Sequence, residues 1–316
     1  MKIWLIAATL LIVLGIFLFA FTMAANQWDF SKLSTKKYET NPHTVIEAFH
    51  HISINTNTAD IVFLPSEDDT CKVICYEEEL LRHSVSVQNE TLLVQVVDTR
   101  KFLDHIGISW ESTKITVYLP QKEYGALQIA DHTGNIEIPK DFRFQSMDIL
   151  TSTGDIKNYA SASEDIKFKT STGDIHTENI SAKAMRFSSS AGSVDIISAI
   201  CEEILEINVT TGKIKIADIS CKNLISKGST GDFVLLNLIA EERISIQRNT
   251  GDVKFYECDA GELFVKTSTG DVTGSLLSEK SFVTDSNTGK ISIPKNTVGG
   301  KCEIFTDTGD IKINIK

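Results

Sequence analysis

From His132 onward apolar and polar residues alternate in short runs, and one small turn interrupts every run. It reads as a small polar residue, usually Thr, then Gly, usually Asp, then a β-branched or aromatic residue. The glycines are Gly134, Gly154, Gly173, Gly192, Gly212, Gly231, Gly251, Gly270, Gly289 and Gly309, spaced by 20, 19, 19, 20, 19, 20, 19, 19 and 20 residues. With each glycine as position zero, +2 holds Ile136, Ile156, Ile175, Val194, Ile214, Phe233, Val253, Val272, Ile291 and Ile311. Position +4 is apolar in most units. Period-two alternation directly after a turn predicts a short half-buried strand. Residues ahead of the turn alternate too, as in Ile166, Phe168 and Thr170. Small residues at +9 (Ala182, Cys201, Cys221, Ala240, Ala260) predict a tight inner corner.

About 19 residues make two or three short strands without a second layer, so one unit cannot bury its own apolar side. Parallel coils stacked about 4.8 Å apart, like over like, can. The predicted fold is all-β: a parallel β-solenoid (β-helix) of about ten coils of 19–20 residues, with an irregular N-terminal β segment and one preceding transmembrane helix. Gly suits a turn that needs positive φ or close backbone approach, and Asp bonds readily to nearby amides. Thr fits a strand end, where stacked hydroxyls can bond along the column. All ten glycines are therefore expected to be structural turn residues.

The organisation divides into 1–25, a membrane anchor or uncleaved signal; 26–43, a polar linker; 44–124, irregular β coils and cap; and 125–316, the regular repeats. Ile3–Ala25 is 23 residues without a charge, long enough to span a hydrocarbon core as a helix. A signal-peptide apolar region runs about 7–15 residues, and Thr22-Met23-Ala24 makes a poor cleavage site. A single-pass anchor in the cell membrane is expected, with the body outside the cytoplasm. Lys2 before the segment and Lys32, Lys36 and Lys37 after it leave the orientation signal nearly balanced. Within 44–124, Thr58-Ala59-Asp60-Ile61 stands where Thr-Gly-Asp-Ile stands later. At the other end Ile311, Ile313 and Ile315 run to the last residue, which predicts an open edge softened only by Lys312 and Lys316.

Residues 44–316 carry 27 Lys and Arg against 40 Asp and Glu, a formal net charge of −13. Such a body repels nucleic acid, which is excluded as a partner. Cys71 and Cys75 lie four residues apart on one strand, about 13 Å, too far to bridge. Cys201 and Cys221 fill the small +9 position on neighbouring coils and read as buried thiols. The chain has no Gly-x-Ser-x-Gly, no Walker loop, no His-Glu-x-x-His and no Cys-x-x-Cys, so no enzyme activity and no cofactor are expected. The residues after the glycines form a column in which Asp232, Asp252 and Asp271 fall on consecutive units. They are the candidates for a metal site. One carboxylate per coil offers few ligands, however, so solvated turn aspartates are the reading and no metal is assigned. A carbohydrate-active β-helix enzyme would need long insertions to build a cleft, and a spacing that never exceeds 20 residues leaves no room for them.

The Thr-Gly-Asp-Ile series, Asn57-Thr58-Ala59-Asp60-Ile61, the strand end Tyr118-Leu119-Pro120 and the leading apolar segment together resemble a bacterial family. It is the putative-adhesin β-solenoid domain of unknown function, which includes LiaG-like membrane-anchored proteins of Gram-positive envelope-stress operons. The resemblance covers about residues 44–316. It implies a solenoid displayed outside the membrane without an established enzyme activity. The function this implies is adhesin-like binding at the cell surface, linked to envelope stress. A cell-envelope polymer, a cationic peptide or a membrane protein is the expected partner. The alternative is a scaffold or regulator of a neighbouring membrane protein, acting through the first helix or the C-terminal edge.

Overall fold

The computed structural model describes residues 2–29, 36–105, 111–295 and 298–316. Helix Lys2–Ala25 comes first, and its stretch Trp4–Ala25 is apolar and long enough to cross a membrane, with its large apolar side chains exposed except for the buried Met23. The body is a β-solenoid wound from one continuous sheet.

Like residues lie over like residues, because only then does every inward apolar side chain find apolar neighbours above and below. In register along the pre-turn strands, Ile149 pairs with Phe168, Phe168 with Phe187, and Phe187 with Ile207. After the turn, Ile136, Ile156, Ile175, Val194, Ile214, Phe233, Val253 and Val272 stack in one buried column. All ten glycines line up along one corner, and the backbone N–H of each, up to Gly251, donates to the residue before the glycine of the next coil. The alternation of 19 and 20 residues is absorbed just after the small +9 residue. One residue (Lys183, Lys222 or Gly261) intervenes there in some coils, and two (Glu202–Glu203 or Glu241–Glu242) in others. A second corner lies at +6, where Asn179, Ser198, Asp218, Asn237 and Glu257 all have left-handed φ between 48° and 57°. Nothing in the apolar pattern marks that column.

The stacking order departs from the sequence order at both ends. The expected open edge at Ile311–Ile315 is not there. Ile311–Ile315 pairs with Val272–Leu276 on one side and with Ile291–Ser292 on the other, leaving Ile311 and Ile313 0 % and 1 % exposed. Gly300–Thr308 likewise lies between Val253–Thr269 and Lys280–Thr288. The last coil has slid in beneath the one that precedes it. At this end of the stack the strand edge paired on one side only is that of Lys280–Thr288 and Ile291–Ser292, and Ile291 is 44 % exposed. Terminal insertion buries the three final isoleucines' strand between two partners, which an end position could not do.

The first coil behaves alike. His51–Asn55 pairs in parallel with Glu123–Thr133 and Thr91–Asp98, while Asp60–Pro65 pairs with Ile136–Ile138 and Lys114–Leu119. The outermost layer is antiparallel: Cys71–Glu78 lies between Tyr38–Val45 and Lys114–Leu119, and Leu81–Gln88 forms a hairpin with Thr91–Asp98. This layer covers the start of the stack.

The swapped order has a direct consequence for stability. Ile313→Ala is expected to cost about 2–4 kcal/mol, whereas Ile291→Ala costs less than about 1 kcal/mol. Denaturant unfolding of the two variants checks this, because a stack in sequence order would reverse the ranking.

Candidate binding face and polar columns

The column at +1 is a hydrogen-bond ladder. One carboxylate oxygen of Asp232 accepts the backbone N–H of Asp252 at 3.1 Å, Asp252 accepts that of Asp271 at 3.0 Å, and Asp271 accepts that of Asp310 at 2.7 Å. Asp310 accepts from Lys290 at 2.8 Å. The same device runs from Asp60 through Asn135, Asp155 and Asp174 to Ser193. The structure thus brings Asp232, Asp252 and Asp271 together on successive coils, with an oxygen of each spent on the next backbone. The amide of Asp271 and, beside it, Lys254 at 3.0 Å outweigh burial and hold the Asp252 carboxyl below the usual carboxylate range.

The turn glycines sit where a side chain cannot. A Cβ at Gly212, whose φ is 149°, would overlap the carbonyl oxygen of Gly192, and the overlap recurs along the column. The threonines before the glycines are exposed, and among the described residues their hydroxyls make no column of bonds. Hydroxyls three residues before the glycine do so instead. Ser189 donates to the Gly173 carbonyl at 3.1 Å, Thr306 to that of Gly270 at 3.1 Å, and Ser286 to that of Gly309 at 2.9 Å.

Three consecutive members break this inner column: Val209, Gly228 and Arg248, which pair in register. Arg248 is 3 % exposed, donates from Nη1 to the Val209 carbonyl at 3.2 Å, and stacks 5.5 Å from the Phe233 ring. Its Nε and Nη2 are buried without partners, and burial pulls its pKa down to about 10. At the other end of the column Asp131, 4 % exposed, has neither carboxylate oxygen bonded to another side chain or paired, and burial pushes it up to about 6.

The outer face of the pre-turn strands is flat and polar. Two residues before the glycines stand Ser152, Ser171, Ser190, Thr210, Ser229, Asn249 and Ser268. Four before them, Leu150, Lys169, Ser188, Asn208, Lys227, Gln247 and Lys266 pair in register. Thr210, Lys227, Asn249 and Lys266 line a shallow groove that Gly228 and Arg248 also border. This face was legible in the repeat, since its columns follow from the glycine positions. Arg248 was not, because a single arginine carries no periodic signal.

In the N-terminal layer, Glu77 Oε2 accepts from His83 Nδ1 and from the His83 amide, both at 2.7 Å, and His83 Nε2 lies 2.8 Å from Thr56 Oγ1. Asn41 donates to the other Glu77 oxygen at 2.8 Å. Burial pushes the Glu77 carboxyl up, but these hydrogen bonds together outweigh it and hold it below its ordinary value. Cys75, Glu77 and His83 have donor atoms within 4.8 Å of one another, the metal-like grouping among the described residues. Glu77 and His83 are spent on each other, and burial keeps the Cys75 thiol protonated at about 12. The Thr–His–Glu row has the order of a nucleophilic relay, but Thr56 and Glu77 are 1 % exposed and the groove beside Gly228 and Arg248 does not open onto them. All six cysteines are buried and free.

A parallel β-solenoid with a capped start, an apolar leading helix and a flat polar face defines a class of repeat module. The chain belongs to the Toastrack family (DUF4097), whose profile matches twice, over residues 49–203 and 201–316. Two solved structures resemble the chain at low identity, and the first of them shares its fold. A "putative adhesin" from Parabacteroides merdae is 13 % identical with a TM-score of 0.51, covering 77 % of this chain and 97 % of its own. A "putative lipid binding protein" from Parabacteroides distasonis is 15 % identical with a TM-score of 0.48, covering 89 % and 98 %. No curated protein matches the sequence significantly.

Two outcomes follow from the columns. Asp252→Ala is expected to lose about 1–2 kcal/mol, and Asp252→Asn, which keeps the acceptor, much less; a calcium-dependent rise in the unfolding midpoint would contradict the ladder. For Asp131 the folded pKa lies above the unfolded one, so the unfolded chain releases its proton first and stability falls as pH rises from about 4 to about 6. Asp131→Asn should therefore gain on the order of 2–3 kcal/mol at pH near 7.5 and nothing at pH near 3.5, read from unfolding midpoints at the two pH values.

Proposed function

We propose that this chain is a non-enzymatic binding module, held in the cell membrane by its N-terminal helix, with the solenoid outside the cytoplasm. Its ligand is an extended component of the cell envelope, and the module serves in the response to envelope stress. The carrying observation is the outer face, where Ser171, Ser190, Thr210 and Ser229 repeat at coil spacing beside Lys169, Asn208 and Lys227. Side chains repeated about every 4.8 Å suit a ligand that is itself long, because weak contacts add along its length. The fold shared with a "putative adhesin" and the family membership support a binding role.

A neighbouring membrane protein is the second reading. It is favoured by the one-sided edge of Lys280–Thr288 and by a helix whose large apolar side chains, Met23 excepted, are exposed. Exchange of residues 3–25 for an unrelated apolar anchor separates the two readings. Retained function favours the face, and loss favours the membrane contact.

The full-length chain in detergent should bind envelope fragments saturably, and Ser171→Trp with Ser190→Trp should weaken binding about tenfold without lowering the unfolding midpoint. Absence of saturable binding, or binding indifferent to the bulky side chains, would overturn the reading. Protease treatment of intact cells should remove the body and leave the helix.

A further inference from the structure

We infer that Arg248 and the groove above it form an oxyanion site, taking a phosphate or carboxylate group carried on a hydroxylated chain. The inference rests on the binding face just described and names the chemistry it recognises.

An arginine keeps its charge at neutral pH even where burial pulls its pKa down to about 10. A buried guanidinium with unmet donors is costly, and the Phe233 ring at 5.5 Å repays only part. Nε and Nη2 are the edge that a carboxylate or phosphate engages with two parallel hydrogen bonds, and both lack a partner. Among the described residues no carboxylate lies within 4.0 Å of Arg248, Lys227 or Lys266.

The surroundings are shaped for the guanidinium. Gly228 pairs in register with Arg248, and a Cβ there would overlap Nη1 and the Val209 carbonyl. The neighbouring coils fill this position with Ser189 and Thr267, so three successive departures from a hydroxyl column clear one space. Asn208, which also borders the groove, has a buried Oδ1 without a donor, an acceptor ready for a ligand hydroxyl. Its Nδ2 is already held by Glu206 at 2.8 Å.

The chain uses the same device once more, with the opposite outcome. Lys280 also pairs in register with a glycine, Gly300, and is 3 % exposed. Its Nζ lies 2.6 Å from Asp259 Oδ1, 2.7 Å from the Ala260 carbonyl and 2.6 Å from Ser278 Oγ. There the protein supplies the counter-charge. At Arg248 the counter-charge comes from the ligand. Lys227 and Lys266, two coils apart and so about 10 Å, flank the position for further anionic groups along the same chain.

The test uses the full-length chain in detergent with inorganic phosphate, a glycerol-phosphate oligomer and a galacturonate oligomer, read by calorimetric titration. Saturable binding of an oligomer, weakened about tenfold or more in Arg248→Met and in Gly228→Ala, is the expected result. Preference for the phosphate or the uronate oligomer identifies the source of the oxyanion. Arg248→Met should unfold no earlier than the parent in the absence of ligand, because it removes an unpaired buried charge. Failure of all three probes, binding unaffected by Arg248→Met, or an Arg248→Met chain that unfolds earlier would each overturn the site. Envelope fragments that still bind Arg248→Met as tightly as the parent would remove the site and leave the proposed function standing.

Discussion

The structure depends on one close approach: the carbonyl oxygen of each turn glycine occupies the space where the next glycine's side chain would be. At Gly212 a Cβ would overlap the Gly192 oxygen, and at Gly192 the Gly173 oxygen. This contact sets the corner of every coil, and the corner sets the register of the strands on either side. Once register is held, isoleucine falls on isoleucine and the core needs no closed globule. The +1 aspartates then add a second tie, each accepting the amide above it. Thr at −1 takes no part in that bonding and faces solvent; the inner hydroxyls at −3 close the same corner from within.

The inversion of the final coils makes sense against that ladder. In sequence order Lys290 would stand between Asp271 and Asp310 and interrupt it. With the last coil inserted, Asp271 accepts from Asp310 and Asp310 from Lys290, so Lys290, which cannot accept, occupies the end of the stack and the run from Asp232 stays unbroken. Burial of Ile311 and Ile313 favours the same arrangement. Hydrogen bonding and hydrophobic burial both choose it, which is the consistency expected of a well-specified fold.

Charge is distributed differently inside and out. The body is strongly acidic overall, yet its buried cations sit over glycines, with Lys280 paired to Asp259 and Arg248 unpaired. Net charge governs what approaches from a distance, and screening limits that influence to roughly 10 Å. A buried guanidinium acts only at contact. An acidic solenoid and an anion-binding groove are therefore compatible, and long-range repulsion filters which anions arrive.

Much of this protein was legible in its residues. The repeat of Thr-Gly-Asp and the apolar +2 column determined the coil, its period, its glycine corner and its flat outer face, because each is a local property copied from unit to unit. Thr58-Ala59-Asp60-Ile61 was recognisable as a member of the same column, and Ala59 and Asp60 take their places there. What the chain alone could not decide was the order in which coils stack, since a register rule is satisfied equally by a neighbour in sequence or by one brought back from the end. Nor could it show the Glu77–His83–Thr56 row or the opening that Gly228 leaves for Arg248. The row forms because the segment carrying Thr56 meets the Glu77–His83 hairpin in space, and Arg248 turns into the stack because Gly228, beside it in register, leaves the room; packing rather than periodicity decides both.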